Sequence, residues 1–250
     1  MHRFFIPPDW IEEGRVSIRG RQVHQLRDVL RLKAGDHIAV LDDTGKEYDV
    51  RLDAVDRGRV SGMVIGTRWI PQPRARITLY QALLKAGRFE FVIQKCTELG
   101  VAAFVPVICQ RCVIKDEVGE NRRERWRRIA LEAAEQSRRG RVPEIGEMVP
   151  FAQACRFAAG LSLLPWEEEK QVGLRAALKP HMPQGNDSLT VNLFIGSEGG
   201  FTPYELEVAR QCGIVPVTLG ARILRAETAG LVAATAILYE CGDLDPLAAD

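Results

Sequence analysis

The rhythm of hydrophobic and polar positions changes near residue 70. Before it, Ile38 to Leu41 and Tyr48 to Val55 cluster or alternate β-forming residues, with turn signals at Asp42-Asp43-Thr44-Gly45 and Arg57-Gly58. Only His24 to Leu32 reads as helical. After it, apolar strands alternate with helical periods. Ile77 to Ala82 is followed by Phe89 to Leu99, with Val92, Cys96 and Leu99 on one face and Gly100 as a stop, and then by Val101 to Ile108. Leu161 to Leu164, Val191 to Ile195 and Ile214 to Leu219 supply later strands. The pattern predicts a small β-barrel over residues 1–70 and an α/β domain with a mostly parallel sheet over residues 74–250. Pro71-Gln72-Pro73-Arg74 reads as the linker between them.

Two stretches of the second part carry the strongest local signals. Phe194-Ile195-Gly196-Ser197-Glu198-Gly199-Gly200 is a strand emptying into a glycine-rich loop, where main-chain amides can approach a ligand closely. A helix follows at once. Thr202 is its expected N-cap, Pro203 its first residue and Glu205 the partner in a capping box, with Phe201 and Leu206 at the staple positions and Gly213 as the stop. The second stretch, Leu219 to Ala229, leaves another strand and enters a small-residue helix near Glu227, with Ala229, Ala233, Ala236 and Ile237 on one face. Gly230 inside that helix suggests close backbone contact. Strand-to-helix loops of this kind bind ligands in α/β proteins, and a pocket built of amides, carbonyls and the walls Leu219, Ile223 and Leu224 suits an adenosine.

Both stretches resemble the SPOUT superfamily of S-adenosylmethionine-dependent RNA methyltransferases, and more closely its RsmE-type enzymes, which methylate a uridine of 16S ribosomal RNA at N3. The resemblance extends to Met1-His2-Arg3-Phe4-Phe5, Gln94 to Val101, Glu135 to Pro143 and Gly242-Asp243-Leu244. Ser197 stands where the family usually has proline, and Ala226 where it usually has threonine. The resemblance implies a PUA-like RNA-binding barrel, then a domain with a deep trefoil knot, and a homodimer in contact through the helix after Thr228. It places the cofactor against Ile195, Gly196, Ser197, Gly199 and Gly200 of the first loop and Leu219, Gly220, Ile223, Leu224, Thr228 and Ala229 of the second. Leu164 and Pro165, at the end of an earlier strand, form a third wall; the same residues also read as ordinary core.

Charge refines this expectation. With 250 residues and a formal net charge of +1, the chain is not globally basic, so an RNA site must come from local clusters. Residues 121–141 hold eight arginines against three glutamates, with Trp126, Ile129, Ala130 and Ala133 on the opposite helical face. Arg122 to Arg128 read as a solvated helix surface. Arg138, Arg139 and Arg141 follow that helix as a loop fit to grip an RNA backbone. Arg3, Arg27 and Arg31 in the barrel are the other phosphate candidates. Lys85 and Arg88, in the loop after the first α/β strand, border the ligand edge and either bind phosphate or cap a helix. Glu167-Glu168-Glu169 reads as solvated.

Other chemistries find less support. Cys109-x-x-Cys112 lacks a second ligand pair, so the six cysteines read as reduced structural thiols and no metal is expected. No Gly-x-Gly-x-x-Gly turn follows an early strand. No apolar run reaches membrane-spanning length and the first residues lack a signal-peptide pattern, which makes a cytoplasmic protein the expectation.

Uridine N3 carries a proton at neutral pH, so methylation there needs a proton acceptor and a stabiliser of the resulting charge. Glu198 and Glu227 are the carboxylates inside the two loops, and Arg222 and Arg225 the cations. Arg225 is expected to hold the uracil anion or its phosphate, with Glu198 or Glu227 as base or orienting partner. Three rivals share some of these features: a methyltransferase of the same superfamily acting on another RNA, one acting on a ribose 2′-hydroxyl, and a non-catalytic ribosome-assembly factor.

Overall fold

Phe4, Ile18, Ile38, Val50 and Val60, all buried, come from five different strands of one sheet and form the centre of the first unit of the chain. A computed structural model describes residues 1–85, 87–113, 119–185 and 187–245. The chain divides into two compact units. The first is Met1–Gln72 with Ala134–Val142, and the second is Pro73–Ala133 with the chain from Pro143 onward.

The strands of the first unit are β1 (His2–Phe5), β2 (Ile11–Glu12), β3 (Arg15–Arg19), β4 (His37–Leu41), β5 (Lys46–Val55) and β6 (Arg59–Trp69). They form a single sheet in the order β1-β4-β5-β6-β3-β2, antiparallel except for the β1–β4 pair. The expected helix over His24 to Leu32 is shorter and irregular: α1 (Arg21–His24) runs into a π turn over Gln25–Val29, and Arg31 reverses the chain at φ +55°. The register of β5 against β6 slips at Asp49/Val50 and at Leu52/Ala54. Opposite these bulges sits Gly62, where a Cβ would lie 2.6 Å from the Arg51 carbonyl oxygen.

The end of the helix Glu120–Gln136 and the segment that follows it belong to this unit too. Phe5 N–H donates to Glu135, and Gly140 packs so closely on Ile70 and Gly45 that a Cβ there would approach Ile70 Cβ to 2.7 Å. Sequence periodicity places residues 134–142 at the end of a helix; only tertiary packing assigns them to the first unit.

The second unit contains β7 (Ala75–Ala82), α2 (Arg88–Leu99), β8 (Ala103–Ile108), α3 (Glu120–Gln136), β9 (Glu144–Ile145), β10 (Val149–Pro150), α4 (Phe151–Phe157), β11 (Leu161–Pro165), α5 (Leu174–Leu178), β12 (Leu189–Ile195), α6 (Pro203–Gln211), β13 (Val215–Val217) and α7 (Ala226–Glu240). Its sheet runs β10-β8-β7-β12-β11-β13, with β9 also beside β8, and its pairs are parallel among the described residues. The alternating α/β pattern read from sequence is therefore the observed architecture.

Thus β11, β12 and β13 are neighbours although β12 separates the other two in sequence. Their C-terminal ends open on the same edge, which is where open parallel sheets leave a crevice for ligands. The core beneath is apolar: Leu79, Leu163, Val191, Leu193 and Val217 are buried, and Phe194 stacks on Tyr80 with ring centres 4.4 Å apart. α7 covers β7 and β12 through Gly230, Ala233, Ala234, Ile237 and Leu238. This stripe shares Ala233 and Ile237 with the expected face. It is displaced from Ala229 and Ala236, and Gly230 within it faces Gln81, Leu79 and Ile195, which a Cβ there would meet at 3.4–3.7 Å.

Candidate functional site: the loops after β11, β12 and β13

The glycine loop after β12 is held by its own helix and by a distant arginine. α6 begins with the capping box legible in sequence: Glu205 N–H donates to Thr202 Oγ1, and Thr202 N–H donates back to Glu205 Oε2. The Glu205 carboxylate is buried, and its other oxygen accepts the backbone N–H of Gln110 at 2.8 Å. Phe201 and Leu206, the staple pair, are both buried. Next to Gln110, Arg111 donates from Nη1 to the carbonyls of Gly199 at 2.8 Å and Phe201 at 3.1 Å. Arg111 was not assigned to the site from sequence, because a residue ninety positions away has no local signature.

Two of the loop glycines have stated reasons. Gly200 takes φ +67°, and a Cβ there would lie 2.7 Å from a Glu167 carboxylate oxygen. Gly196 lies against the Phe201 ring, where a Cβ would meet carbon at 3.2 Å.

The loop after β13 turns on Thr218, whose Oγ1 accepts the N–H of Gly220 at 3.2 Å. It then runs to Arg225, the N-cap of α7, whose carbonyl accepts the N–H groups of Thr228 and Ala229. Between the two loops, and bounded by the end of β11, lies a pocket of about 430 Å³.

Among the expected cofactor residues, Pro165, Ile195, Gly196, Ser197 and Gly200 line this pocket, as do Leu219, Gly220, Ile223, Leu224 and Ala229. Leu164 is fully buried in β11 instead, Gly199 lies against Arg111, and Thr228 is not on the lining. Trp166, Glu167, Phe201 and Thr218 also face the pocket. Glu167 has the exposure expected of its run while bordering the pocket, and Glu169 folds back to accept the N–H groups of Gln171 and Val172.

The polar lining is a balanced cluster. Glu198, Glu227, Arg222 and Arg225 are all on it, joined by Arg88 from the start of α2. Arg88 Nη1 is 3.3 Å from Glu198 Oε1, and its Nε is 3.8 Å from Glu227 Oε1. Lys85 contributes its backbone N–H to Glu198 at 3.2 Å, leaving its ammonium exposed; Ala86 of the same loop lies outside the described residues.

Two buried polar atoms of lining residues, Ser197 Oγ and Glu227 Oε2, have no hydrogen-bond partner among the described residues. Such atoms are rare and mark places where a ligand or water completes the set. Together with glycine-exposed backbone and the apolar walls, they suit a nucleoside bearing polar groups at its edges, which S-adenosylmethionine is.

The expected RNA residues of the first unit divide into two kinds. Arg3 is buried in an ion pair with Glu47 and also reaches the carbonyls of Arg138 and Arg139. Arg141 donates twice to the Thr44 carbonyl, and Arg27 pairs with Asp28 at 2.7 Å. Burial pulls the pKa of Arg139 down, with Asp43 opposing. Arg31, Arg138 and Arg141 are exposed, and of these Arg141 is tied by its bonds to Thr44. In the second unit, Arg123, Arg125, Arg127 and Arg128 of α3 pair with glutamates, and Arg122 lies over the Trp126 ring.

Cys109 and Cys112 are buried, with the Cys109 N–H directed at Cys112 Sγ, and no metal-ligand cluster occurs among the described residues.

A parallel sheet whose three adjacent strand ends hold a glycine-framed pocket lined by arginines and glutamates defines an α/β protein built to bind a nucleoside-bearing ligand. Residues 71–238 match the model of the RNA methyltransferase domain, and residues 18–62 that of the RNA methyltransferase PUA domain. Two relatives named ribosomal RNA small subunit methyltransferase E are similar over most of the chain. The protein from Synechocystis is 38% identical, covering 93% of this chain and 75% of its own, and that from Bacillus subtilis is 36% identical, covering 96% and 97%. The crystal structure of the protein of that name from Neisseria gonorrhoeae, bound to S-adenosyl methionine, aligns with a TM-score of 0.83 at 30% identity over 96% of this chain and 97% of its own. The chain belongs to the RNA methyltransferase family, within the group of ribosomal RNA small subunit methyltransferase E.

Proposed function

We propose that this protein transfers a methyl group from S-adenosylmethionine to N3 of a uridine in 16S ribosomal RNA of the small subunit. The observation that carries the reading is the pocket at the ends of β11, β12 and β13. Its backbone-rich walls and unpartnered polar atoms suit the cofactor, and its Arg88, Glu198, Arg225 and Glu227 supply acid–base and charge-stabilising groups beside it. The names of the relatives and the ligand of the gonococcal protein support the same reading.

When bound, the cofactor supplies a methyl group already activated on a sulfonium. The protein's task is then to align the acceptor, exclude water and manage one proton. The loops of residues 195–200 and 218–224, with Pro165, hold the nucleoside. Arg225, at the start of α7, is placed to stabilise negative charge developing on the uracil oxygens. Glu198 and Glu227 are the carboxylates that accept the proton or orient its acceptor.

Exposed cations that support RNA binding are Arg31, Arg138 and Arg141 in the first unit and Lys85 in the second. Arg3, Arg27 and Arg139 contribute by shaping the surface of the first unit. A trefoil knot in the second unit, a homodimer that brings a second basic loop to the RNA, and a cytoplasmic location belong to the same proposal.

The test is transfer of labelled methyl to small ribosomal subunits lacking their own modification, followed by nucleoside digestion and mass analysis. N3-methyluridine is the expected product. A 2′-O-methylated nucleoside, or product only on transfer RNA, overturns the assignment of base and target; cofactor binding with no transfer to any RNA overturns the enzymatic reading.

A further inference from the structure

Three carboxylates line the pocket, Glu167, Glu198 and Glu227, and they differ in what already holds their oxygens. Glu167 is exposed, so water satisfies it. Glu198 Oε1 accepts the Lys85 N–H at 3.2 Å and Arg88 Nη1 at 3.3 Å. Glu227 is the least exposed of the two loop glutamates, with 14% of its side chain accessible against 26% for Glu198. Its Oε1 faces Arg88 Nε at 3.8 Å, and its Oε2 is buried with no donor among the described residues.

A carboxylate oxygen shut away from water and left without a donor is costly to maintain, and it persists where a ligand brings the donor. A proton acceptor needs such an oxygen: one at the site, shielded from solvent and not already committed. Glu198 has its Oε1 committed and is more exposed than Glu227, and Glu167 is not shielded. Glu227 also sits in the first turn of α7, where the helix N-terminus and Arg88 compensate its charge without occupying Oε2.

We propose that Glu227 Oε2 takes the N3 proton of the acceptor uridine and that Arg88, held by Glu198, is a positioning residue that fixes the Glu227 carboxylate. The inference rests on the N3-methylation reading. The N3–H pair becomes the new N–C bond to the methyl carbon, the C–S pair departs on sulfur to leave S-adenosylhomocysteine, and Glu227 afterwards gives the proton to water. No further reagent is consumed.

The experiment compares wild-type protein with Glu227→Gln, Glu227→Asp and Arg88→Gln on small subunits lacking the modification, with S-adenosylhomocysteine affinity measured by calorimetry on each. Glu227→Gln keeps the shape and removes the ability to take a proton. It is expected to lower kcat by about 10²- to 10⁴-fold while the affinity for S-adenosylhomocysteine stays within about twofold. Glu227→Asp is expected to recover part of that loss. Arg88→Gln is expected to lower kcat with S-adenosylhomocysteine affinity unchanged, and Arg88→Lys, made alongside it, to recover part of that loss, a rescue that a purely structural arginine would not produce. An unchanged kcat in Glu227→Gln overturns the proposal. So does a parallel loss of S-adenosylhomocysteine affinity, which would assign Oε2 to the cofactor. Failure of the N3 reading shows separately, in the digested product of the wild-type protein.

Discussion

Arg111 Nη1 donates to the carbonyl of Gly199 at 2.8 Å and so ties the segment after β8 to the glycine loop after β12. A second bond to the Phe201 carbonyl makes this a clamp on two sides of Gly200. Hydrogen bonds from a charged donor contribute about 1.5–3 kcal/mol each. Arg111→Ala is therefore expected to weaken S-adenosylhomocysteine binding by about tenfold or more. Arg111→Lys should recover little, since a point ammonium cannot reproduce the guanidinium fork. Calorimetric titration of both variants checks this.

Gly200 has two independent requirements, its φ of +67° and its proximity to Glu167. In Gly200→Ala the Glu167 side chain can swing away, but the left-handed backbone still costs about 1–2 kcal/mol. The variant is expected to lose cofactor affinity and stability, and Glu167→Ala added to it should restore only part of the loss. Urea unfolding and titration of the double variant separate the two contributions.

Arg225 presents its side chain to the pocket while its backbone caps α7. Arg225→Ala keeps that backbone cap, so the fold and cofactor site should survive. Turnover is expected to fall by about 10²-fold or more, as when a transition-state donor is removed, with S-adenosylhomocysteine affinity little changed. An equal loss of both would remove Arg225 from the acceptor side.

Glu205 is buried and receives Gln110 N–H, Thr202 N–H and Thr202 Oγ1–H. Glu205→Gln points an amide donor at one of these donors. The expected cost is about 1–3 kcal/mol, read as a lower urea midpoint. Glycine-loop function should fail with it, since α6 and the loop share that anchor.

Cys212 is exposed, whereas the other five cysteines are buried. Burial pushes the thiols of Cys96 and Cys155 up to about 12, so their thiolates are scarce at ordinary pH. Iodoacetamide at pH 8 is expected to label Cys212 in the folded protein and all six only after denaturation. Mass spectrometry of peptides reads this directly.

What could be read from sequence was what nearby residues encode together. The switch from β-like text to alternating strands and helices, the Thr202–Glu205 capping box, the Gly100 stop and the glycine loop each lie within a few positions of their cause. The structure has each of them. The site was legible to the same extent: Gly196, Ser197, Leu219, Ile223, Glu198, Arg225 and Glu227 all come from two short strand-to-helix loops, and all line the pocket.

Tertiary structure decided what depends on distant pieces of chain meeting. β12 lies between β7 and β11, more than a hundred residues from the first, which brings Arg88, Arg111 and Glu167 to loops they do not adjoin in sequence. It also buried Arg3 against Glu47 and tied the exposed Arg141 to the Thr44 carbonyl, where composition alone showed only basic residues. Periodicity and capping are local and survive in a one-dimensional reading. Partner choice by a charged side chain is settled by burial and three-dimensional proximity, because desolvation and Coulomb energy depend on what the fold places within a few ångströms.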